Sequence, residues 1–241
     1  MEENQTFNQG VVVMEETPTL NQGVVGAKYN HCNLVTMNRE TVIRIMKSAG
    51  GYVTPSLNEK LYLHNNNFMN IGGLEDFIEA KVIWLQSNAL VHVHGLTHLK
   101  QLRVLYLHQN RITSLSGLAG LHQLHTLNVS VNALRSLHGV AHLPGLKNLY
   151  AAKNCFTSCE SVSEIQNLSN LAVLDLGDNR IDGDGILYIL SQPKLGELCV
   201  LTLQGNLLCT SIRWYRKVLI SKLKTLKVLS LHACLVQKYK T

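Results

Sequence analysis

The chain has 241 residues and a mass of 26.9 kDa, which suits one ordinary domain. Hydrophobic residues make up 46% and charged residues 16%, which excludes disorder for most of the chain, and 17 glycines with 4 prolines exclude a collagen-like fibre. No stretch reaches the roughly 18 consecutive apolar residues of a membrane helix, the acidic start is unlike a signal peptide, and the six scattered cysteines fit reduced thiols. We therefore expect a soluble, intracellular protein.

The N-terminal part of the chain divides into two predicted segments. Residues 1–33 contain the motif Asn-Gln-Gly-Val-Val twice and few large apolar residues, so they are predicted to be a flexible or extended segment. Residues 34–51 are predicted to form a capping helix, with Thr36 or Asn38 as N-cap and Gly50-Gly51 as the stop. Its apolar stripe consists of Val42, Ile43, Ile45 and Met46.

A repeated unit occupies residues 52–210. Residues 102–121 show it plainly: an apolar-x-apolar triplet, Leu105-Tyr106-Leu107, precedes Asn110, and leucines follow at regular spacing. The Asn recurs seven times, at intervals of 22, 22, 22, 22, 25 and 27 residues. This is the leucine-rich-repeat pattern. It predicts an α/β solenoid of about seven repeats, with a curved parallel sheet on the concave face and short 3₁₀ or α segments on the convex face.

The recurring Asn is predicted to be structural. After each strand the chain must turn sharply, and an amide there can bond loop backbone groups that burial would otherwise leave without partners. We expect Asn110→Ala to cost about 1 to 3 kcal/mol for this reason. The predicted ladder comprises Asn66, Asn88, Asn110, Asn132, Asn154, Asn179 and Asn206.

The longer repeats at the C-terminal end are predicted to contain true helices, over Asp184–Gln192 and Ser211–Leu223. Residues 211–241 are predicted to be a C-terminal cap with a partial last repeat. From Leu198 onward there are eight Lys/Arg and no Asp or Glu. Such a region attracts nucleic acid or acidic protein segments, although it can equally serve solubility alone. The predicted basic cap comprises Arg213, Arg216, Lys217, Lys222, Lys224 and Lys227.

The residue between the two apolar residues of each strand is predicted to face the concave surface. Four of the first five such residues are aromatic, as expected for the anchors of a protein interface. Two alternatives are that the rings pack on each other for stability, or that they stack nucleobases. The predicted binding face comprises Tyr62, Trp84, Tyr106, Asn128, Tyr150 and Asp175 between the strand residues, with His64, His108, Lys60, Lys81, Arg103, Lys147, Lys153 and Asp178 beside them.

Catalytic and metal-binding motifs are not recognisable. There is no phosphate-binding Gly loop, Gly-x-Ser-x-Gly or His-Glu-x-x-His motif, so we expect neither an enzyme nor a cofactor. His92, His94 and His98 suggest a metal site, but His94 and His98 have equivalents two repeats away and so fit a solvated convex surface. Cys159 takes a position held by leucine in neighbouring repeats and is predicted to lie in the core.

Residues 37–226, about four fifths of the chain, closely resemble the axonemal dynein assembly factor with leucine-rich repeats. The resemblance rests on Thr54–His64 at the entry to the first repeat, Trp84 in Ile-Trp-Leu, Asn128 in Leu-Asn-Val-Ser, Asp175 in Val-Leu-Asp-Leu, and Asn206 followed by Tyr215-Arg216-Lys217. One departure is that residues 229–234 replace the acidic Leu-Asp-Asp-Arg-Pro segment of that family.

The resemblance implies a non-catalytic adaptor in the cytoplasmic preassembly of axonemal dynein arms, and hence a role in cilia or flagella. Its implied partners are axonemal dynein chains, chaperone assembly factors, or both, with no membrane and no nucleic acid, and the chain is expected to be a monomer. Three alternatives stay open: a phosphatase-regulating repeat protein, a structural component of the axoneme, and a ribonucleoprotein component that binds RNA through the basic cap.

Overall fold

A computed structural model of the chain describes residues 35–223 and 225–230. The predicted N-terminal segment 1–33, Lys224 and the last eleven residues lie outside these ranges. Eight three-residue strands form one parallel sheet, in which each strand pairs with its neighbours in chain order. The strands are β1 (Lys60–Tyr62), β2 (Val82–Trp84), β3 (Val104–Tyr106), β4 (Thr126–Asn128), β5 (Asn148–Tyr150), β6 (Val173–Asp175), β7 (Val200–Thr202) and β8 (Val228–Ser230). The predicted solenoid class is confirmed.

The register follows the repeat, since equivalent residues of successive repeats pair along the sheet. Leu61 pairs with Ile83, and Ile83 pairs with Leu105. These central residues are fully buried, as are the convex-side residues Leu115 and Leu118. One continuous hydrophobic core therefore runs along the stack, and each repeat buries its apolar residues only by packing on the next.

Helix α1 (Arg39–Ser48) covers the first repeat. Asn38 is its N-cap, because the side-chain oxygen of Asn38 accepts a hydrogen bond from the N–H of Thr41 at 2.9 Å. Val42 and Met46 are buried against the core, whereas Ile43 and Ile45 pack at its margin. The helix thus closes the apolar end that a solenoid would otherwise expose.

The convex side consists of short helical segments, as the 22-residue unit requires. Four 3₁₀ helices lie there, at Ser116–Leu118, Val140–His142, Glu160–Asn167 and Pro193–Leu195. A fifth, Pro55–Leu57, precedes β1. Helix α2 (Gly185–Leu190) lies within the predicted range. No helix in the described ranges is long and apolar enough to cross a lipid bilayer.

The predicted helix over residues 211–223 differs from the structure. Two helices are present, α3 (Leu208–Ser211) and α4 (Tyr215–Lys222), with a break between them. Ile212 is extended and Trp214 has a left-handed backbone, with φ of 62°. An α-helix cannot pass through such residues, and for a bulky residue this conformation costs about 1 to 2 kcal/mol. Neither Gly nor Pro marks the break in the sequence.

Candidate binding surface on the concave face

The Asn ladder ties the strand-exit loops together. The Asn110 side-chain amide donates to the carbonyl oxygens of Leu85 and Leu107, both at 3.0 Å, and its oxygen accepts from the N–H of Leu90 at 3.0 Å. Five others make the same donor bonds to their own repeat and the preceding one: Asn88, Asn132, Asn154, Asn179 and Asn206. Asn66, in the first repeat, donates to His64 O at 2.7 Å.

The residue before each ladder Asn turns the chain, and at all seven positions it has a positive φ. Lys153 and Asp178, two of the predicted contact residues, occupy this position. Both are exposed. They therefore lie at the rim of the concave face, past the strand ends.

Three aromatic side chains form what we call the ring ladder: Tyr62, Trp84 and Tyr106. They are the last residues of β1, β2 and β3 and pair in register. The ring centroids of Tyr62 and Trp84 are 4.7 Å apart, those of Trp84 and Tyr106 are 5.7 Å apart, and both pairs are stacked. All three are half-buried. Because stacking covers ring faces, the ladder offers a partner mainly its ring edges and polar groups.

The aromatic strip is interrupted at β4. Asn128, paired between Tyr106 and Tyr150, is only 7% exposed, and its side-chain oxygen accepts from the N–H of Ser130 at 3.1 Å. Its side chain is thus folded back onto its own loop. Tyr150 lies beyond this gap, beside Asp175. The four aromatic residues that the sequence places on the concave face are therefore a three-ring ladder and one separate tyrosine.

A second row of side chains, the polar row, lies beside the ring ladder: His64, Gln86 and His108. Each follows the second buried residue of its repeat. Within the described residues, His64 Nδ1, Gln86 Oε1 and His108 Nδ1 are buried and have no hydrogen-bond partner. Burial lowers the pKa of His64 and of His108, which favours neutral rings. An unpaired buried polar atom costs about 1 to 3 kcal/mol, so the three atoms make the polar row a locally unfavourable part of the concave face.

Gln86 was missed as a site residue by the sequence analysis. It is 7% exposed and lies between the two histidines in the repeat register. The 22-residue spacing from His64 to Gln86 and on to His108 was the available signal. Glutamine is neither aromatic nor titratable, so it did not stand out as a candidate site residue as histidine did.

The positive residues of the concave surface do not all occupy the same position in their repeats. Lys60 is the first residue of β1, whereas Lys81, Arg103 and Lys147 each precede their strand by one residue. Lys81 Nζ forms an ion pair with Glu59 at 2.5 Å. Lys60 and Arg103 are exposed and leave this end of the surface positive.

The other end of the surface is acidic. Burial raises the pKa of Asp175, the N–H of Gly177 partly offsets this by donating to the carboxylate at 2.9 Å, and the negative charge of Asp178 adds to the rise. Burial, together with the charge of Asp175, also raises the pKa of the Tyr150 hydroxyl. The acidic end thus consists of Asp175 and Asp178 in the sixth repeat, and the exposed Lys153 of the fifth repeat borders it.

The remaining site expectations concern metals and cysteine. In residues 35–223 and 225–230, no group of three His, Cys, Asp or Glu side chains could hold a metal ion. His92 and His94 stack on each other at 5.7 Å, and His98 Nε2 donates to Leu74 O at 2.9 Å. Cys159 is half-buried at the margin of the core, where Phe156 fills the interior. Cys159 thus packs against the core, as predicted, but is only partly buried.

The described part of the basic cap is exposed. Arg213, Arg216, Lys217 and Lys222 lie on or just before α4, and Lys227 immediately precedes β8. They lie on a different part of the molecule from the ring ladder, which belongs to the first three repeats. The cap is therefore a separate charged surface.

A family model for leucine-rich repeats, two copies, matches residues 100–142. The fold is a leucine-rich-repeat solenoid. Its strand-turn unit, the Asn ladder and the 3₁₀ segments are all present in those two repeats. No curated protein matches the chain.

Solved structures with similar folds include bacterial leucine-rich-repeat proteins. The internalin InlF of Listeria monocytogenes is 24% identical, with a TM-score of 0.63 over 75% of this chain and 49% of that one. Internalin C2 of the same organism is 21% identical, with a TM-score of 0.58 over 80% and 92%. A leucine-rich-repeat protein of Leptospira interrogans is 24% identical, with a TM-score of 0.57 over 69% and 41%. This chain thus spans about half the length of InlF, and the similarity concerns the fold alone.

Proposed function

We propose that this leucine-rich-repeat protein is a non-catalytic adaptor that binds a protein partner on its concave face. The observation that carries the proposal is the ring ladder, Tyr62–Trp84–Tyr106, lying half-buried beside a row of polar atoms without partners. Solenoids present extended concave surfaces, and Trp and Tyr are the residues that most often anchor protein interfaces. Burial lowers the pKa of His64 and of His108, which favours neutral rings beside the ring ladder.

The stacked geometry favours a protein over nucleobases. A base binds an aromatic side chain by lying on its face. Trp84 has a ring on each side, at 4.7 and 5.7 Å, so its faces are already covered. A peptide can instead contact the ring edges and fill the space beside them. The exposed Lys60 at one end of the surface, and Asp175 with Asp178 at the other, add a preference for a segment that is acidic at one end and basic at the other.

We further propose that the partner is an axonemal dynein chain or a chaperone assembly factor, bound in the cytoplasm during dynein-arm preassembly for cilia or flagella. This step rests on the sequence resemblance. Two residues that carry the resemblance, Trp84 and Asp175, are the last residues of β2 and β6 and belong to the candidate surface, whereas Asn128, at the end of β4, is folded back onto its own loop. A family-specific pattern on a shared surface is what a common partner would maintain.

Affinity capture from flagellated cells tests both steps. The variant carries Tyr62→Ala, Trp84→Ala and Tyr106→Ala, and the matched control is Tyr188→Ala, since Tyr188 is 68% exposed on α2. We expect dynein chains or their chaperones with wild type and control, and a loss of about 30-fold or more with the triple variant, corresponding to about 2 kcal/mol. A thermal melt of each variant separates lost binding from lost folding.

The outcomes separate the concave site from the client. Unchanged capture by a folded triple variant would exclude the ring ladder as the binding site. Recovery of a phosphatase, of intact axonemal structures or of ribonucleoprotein in place of dynein chains would retain the fold and overturn the assembly role.

A further inference from the structure

An exposed aromatic residue with two cations stands on the basic cap. Trp214, in the break between α3 and α4, is 61% exposed. Lys217 Nζ lies 4.7 Å from the centroid of its ring and the Arg213 guanidinium lies 5.8 Å away. Both distances are within the range of cation–π contacts. We call Arg213, Trp214 and Lys217 the basic knuckle.

The backbone of the knuckle is strained in a way that the repeat does not explain. Among the residues that the structure describes, seven other non-glycine residues have positive φ, and all lie in strand-exit loops between Asn65 and Asp178. Trp214 lies outside that pattern. Gly or Asn adopts this conformation more readily, and an exposed tryptophan adds little to the core. An observed outlier of this kind is grounds for inferring a role at the surface.

The charges around the knuckle have one sign. Arg216 and Lys222 are exposed on α4, and no Asp or Glu occurs from Leu198 to the end of the sequence. The acidic group on the adjoining loop, Asp182, accepts a hydrogen bond from the Ser211 hydroxyl at 2.7 Å. The three ion pairs within the described residues all lie elsewhere in the molecule. No ion pair within the described residues therefore neutralises a cation of the cap.

We propose that the basic knuckle binds an acidic, Glu- or Asp-rich protein segment. Lys217 and Arg213, held against the indole ring, supply two positive charges in a defined position, and Arg216 extends the row along α4. Carboxylates match these donors in charge and in hydrogen-bonding geometry. The part of the Trp214 side chain that the two cations leave exposed supplies apolar contact to the aliphatic part of the segment.

Two other anionic ligands fit less well. An interfacial membrane helix needs a broad apolar face, whereas α4 has eight residues and its exposed large apolar side chain, Ile220, stands among Arg216, Lys217 and Lys222. Single-stranded RNA binds by stacking bases on open aromatic faces, and the Trp214 ring already carries two cations. An acidic peptide requires neither feature.

The proposal is independent of the concave adaptor site and is tested on the full chain. The probe is a fluorescent peptide of alternating Glu and Gly, with a Gln-and-Gly peptide, phosphatidylserine vesicles and polyuridine RNA as parallel arms. We expect the Glu peptide to bind, the Gln peptide not to bind, and the affinity for the Glu peptide to fall as salt rises. Stronger binding of vesicles or RNA than of the Glu peptide would overturn the proposal, as would no binding of the Glu peptide.

Matched variants locate the site. Arg213→Gln with Lys217→Gln is expected to weaken peptide binding at least 10-fold, whereas Arg44→Gln with Lys47→Gln, which removes the same charge from exposed positions on α1, changes it less than 2-fold. Trp214→Gly is expected to weaken binding about 5-fold while leaving the melting temperature equal or higher, because Gly tolerates φ of 62°. Equal losses in the two charge variants would show a general charge effect and overturn the site. If Trp214→Gly bound the peptide as tightly as wild type, the indole ring would not be part of the binding site.

Discussion

Asn110→Ala measures how much the Asn ladder contributes to the stability of the solenoid. The substitution removes three hydrogen bonds of 3.0 Å, to Leu85 O, Leu107 O and the N–H of Leu90, and two of these partners belong to the preceding repeat. At about 0.5 to 1.5 kcal/mol net for each of the three bonds, we expect the free energy of unfolding to fall by about 1.5 to 4.5 kcal/mol. The bonds to Leu85 and Leu90 join adjacent repeats, so their loss also weakens the coupling on which the stack depends.

The matched control is Asn66→Ala, at the same position of the first repeat. Asn66 donates to His64 O in its own loop at 2.7 Å, so we expect a loss of about 0.5 to 1.5 kcal/mol. Urea denaturation followed by circular dichroism measures both variants. If Asn110→Ala cost no more than Asn66→Ala, the amide would not be joining repeats, and the reasoning from the hydrogen-bond geometry would be refuted.

Four further changes test the core, the convex side, the acidic end and the turns. Leu127→Ala, at a fully buried position, is expected to cost about 2 to 5 kcal/mol, against about 0.5 kcal/mol or less for Leu57→Ala, which is 56% exposed. Burial opposes ionisation of Glu164, but hydrogen bonds from two backbone N–H groups and from a histidine outweigh burial and lower the pKa of Glu164. The ionised carboxylate therefore stabilises the fold above pH 4.5, and this stability is lost as the pH falls further. Glu164→Gln should make the stability less dependent on pH in the acid range. Burial raises the pKa of Asp175, so the carboxylate destabilises the fold as pH rises through that pKa, and Asp175→Asn should raise the melting temperature at pH 7 but not below pH 3.8. Val131→Gly should stabilise by about 0.5 to 1 kcal/mol, because Val131 has φ of 56°.

Each of these expectations can fail in a distinct way. Equal melting of Leu127→Ala and Leu57→Ala would contradict the inward assignment of β4. An unchanged pH profile for Glu164→Gln would mean that Glu164 does not stabilise the 3₁₀ helix Val140–His142, to which it is bonded. Lower stability of Asp175→Asn at pH 7 would show that its charge helps the fold, and lower stability of Val131→Gly would show that the turn carries little strain.

The sequence by itself determined the architecture and the register. A 22-residue repeat of apolar-x-apolar followed by Asn specifies a strand, a sharp turn and a return segment, and each unit contacts only its neighbours. The local pattern therefore decides the global stack: Leu61, Ile83 and Leu105 pair inward, while Tyr62 and Trp84 lie beside each other. The N-terminal cap of the solenoid could also be predicted, because the N-cap Asn38 and an apolar helical stripe suffice to predict α1.

Only the tertiary structure decided what the outward side chains do. Spacing alone placed Tyr106 and Asn128 in one row, but Tyr106 stacks on Trp84, whereas the Asn128 side chain accepts a hydrogen bond from the N–H of Ser130. The burial of Gln86 depends on neighbours 22 residues away on either side. The left-handed backbone of Trp214 has no Gly or Pro to mark it. Repetition fixes the path of the backbone through local contacts, whereas burial, stacking and strain depend on which side chains share each space after the repeats have packed.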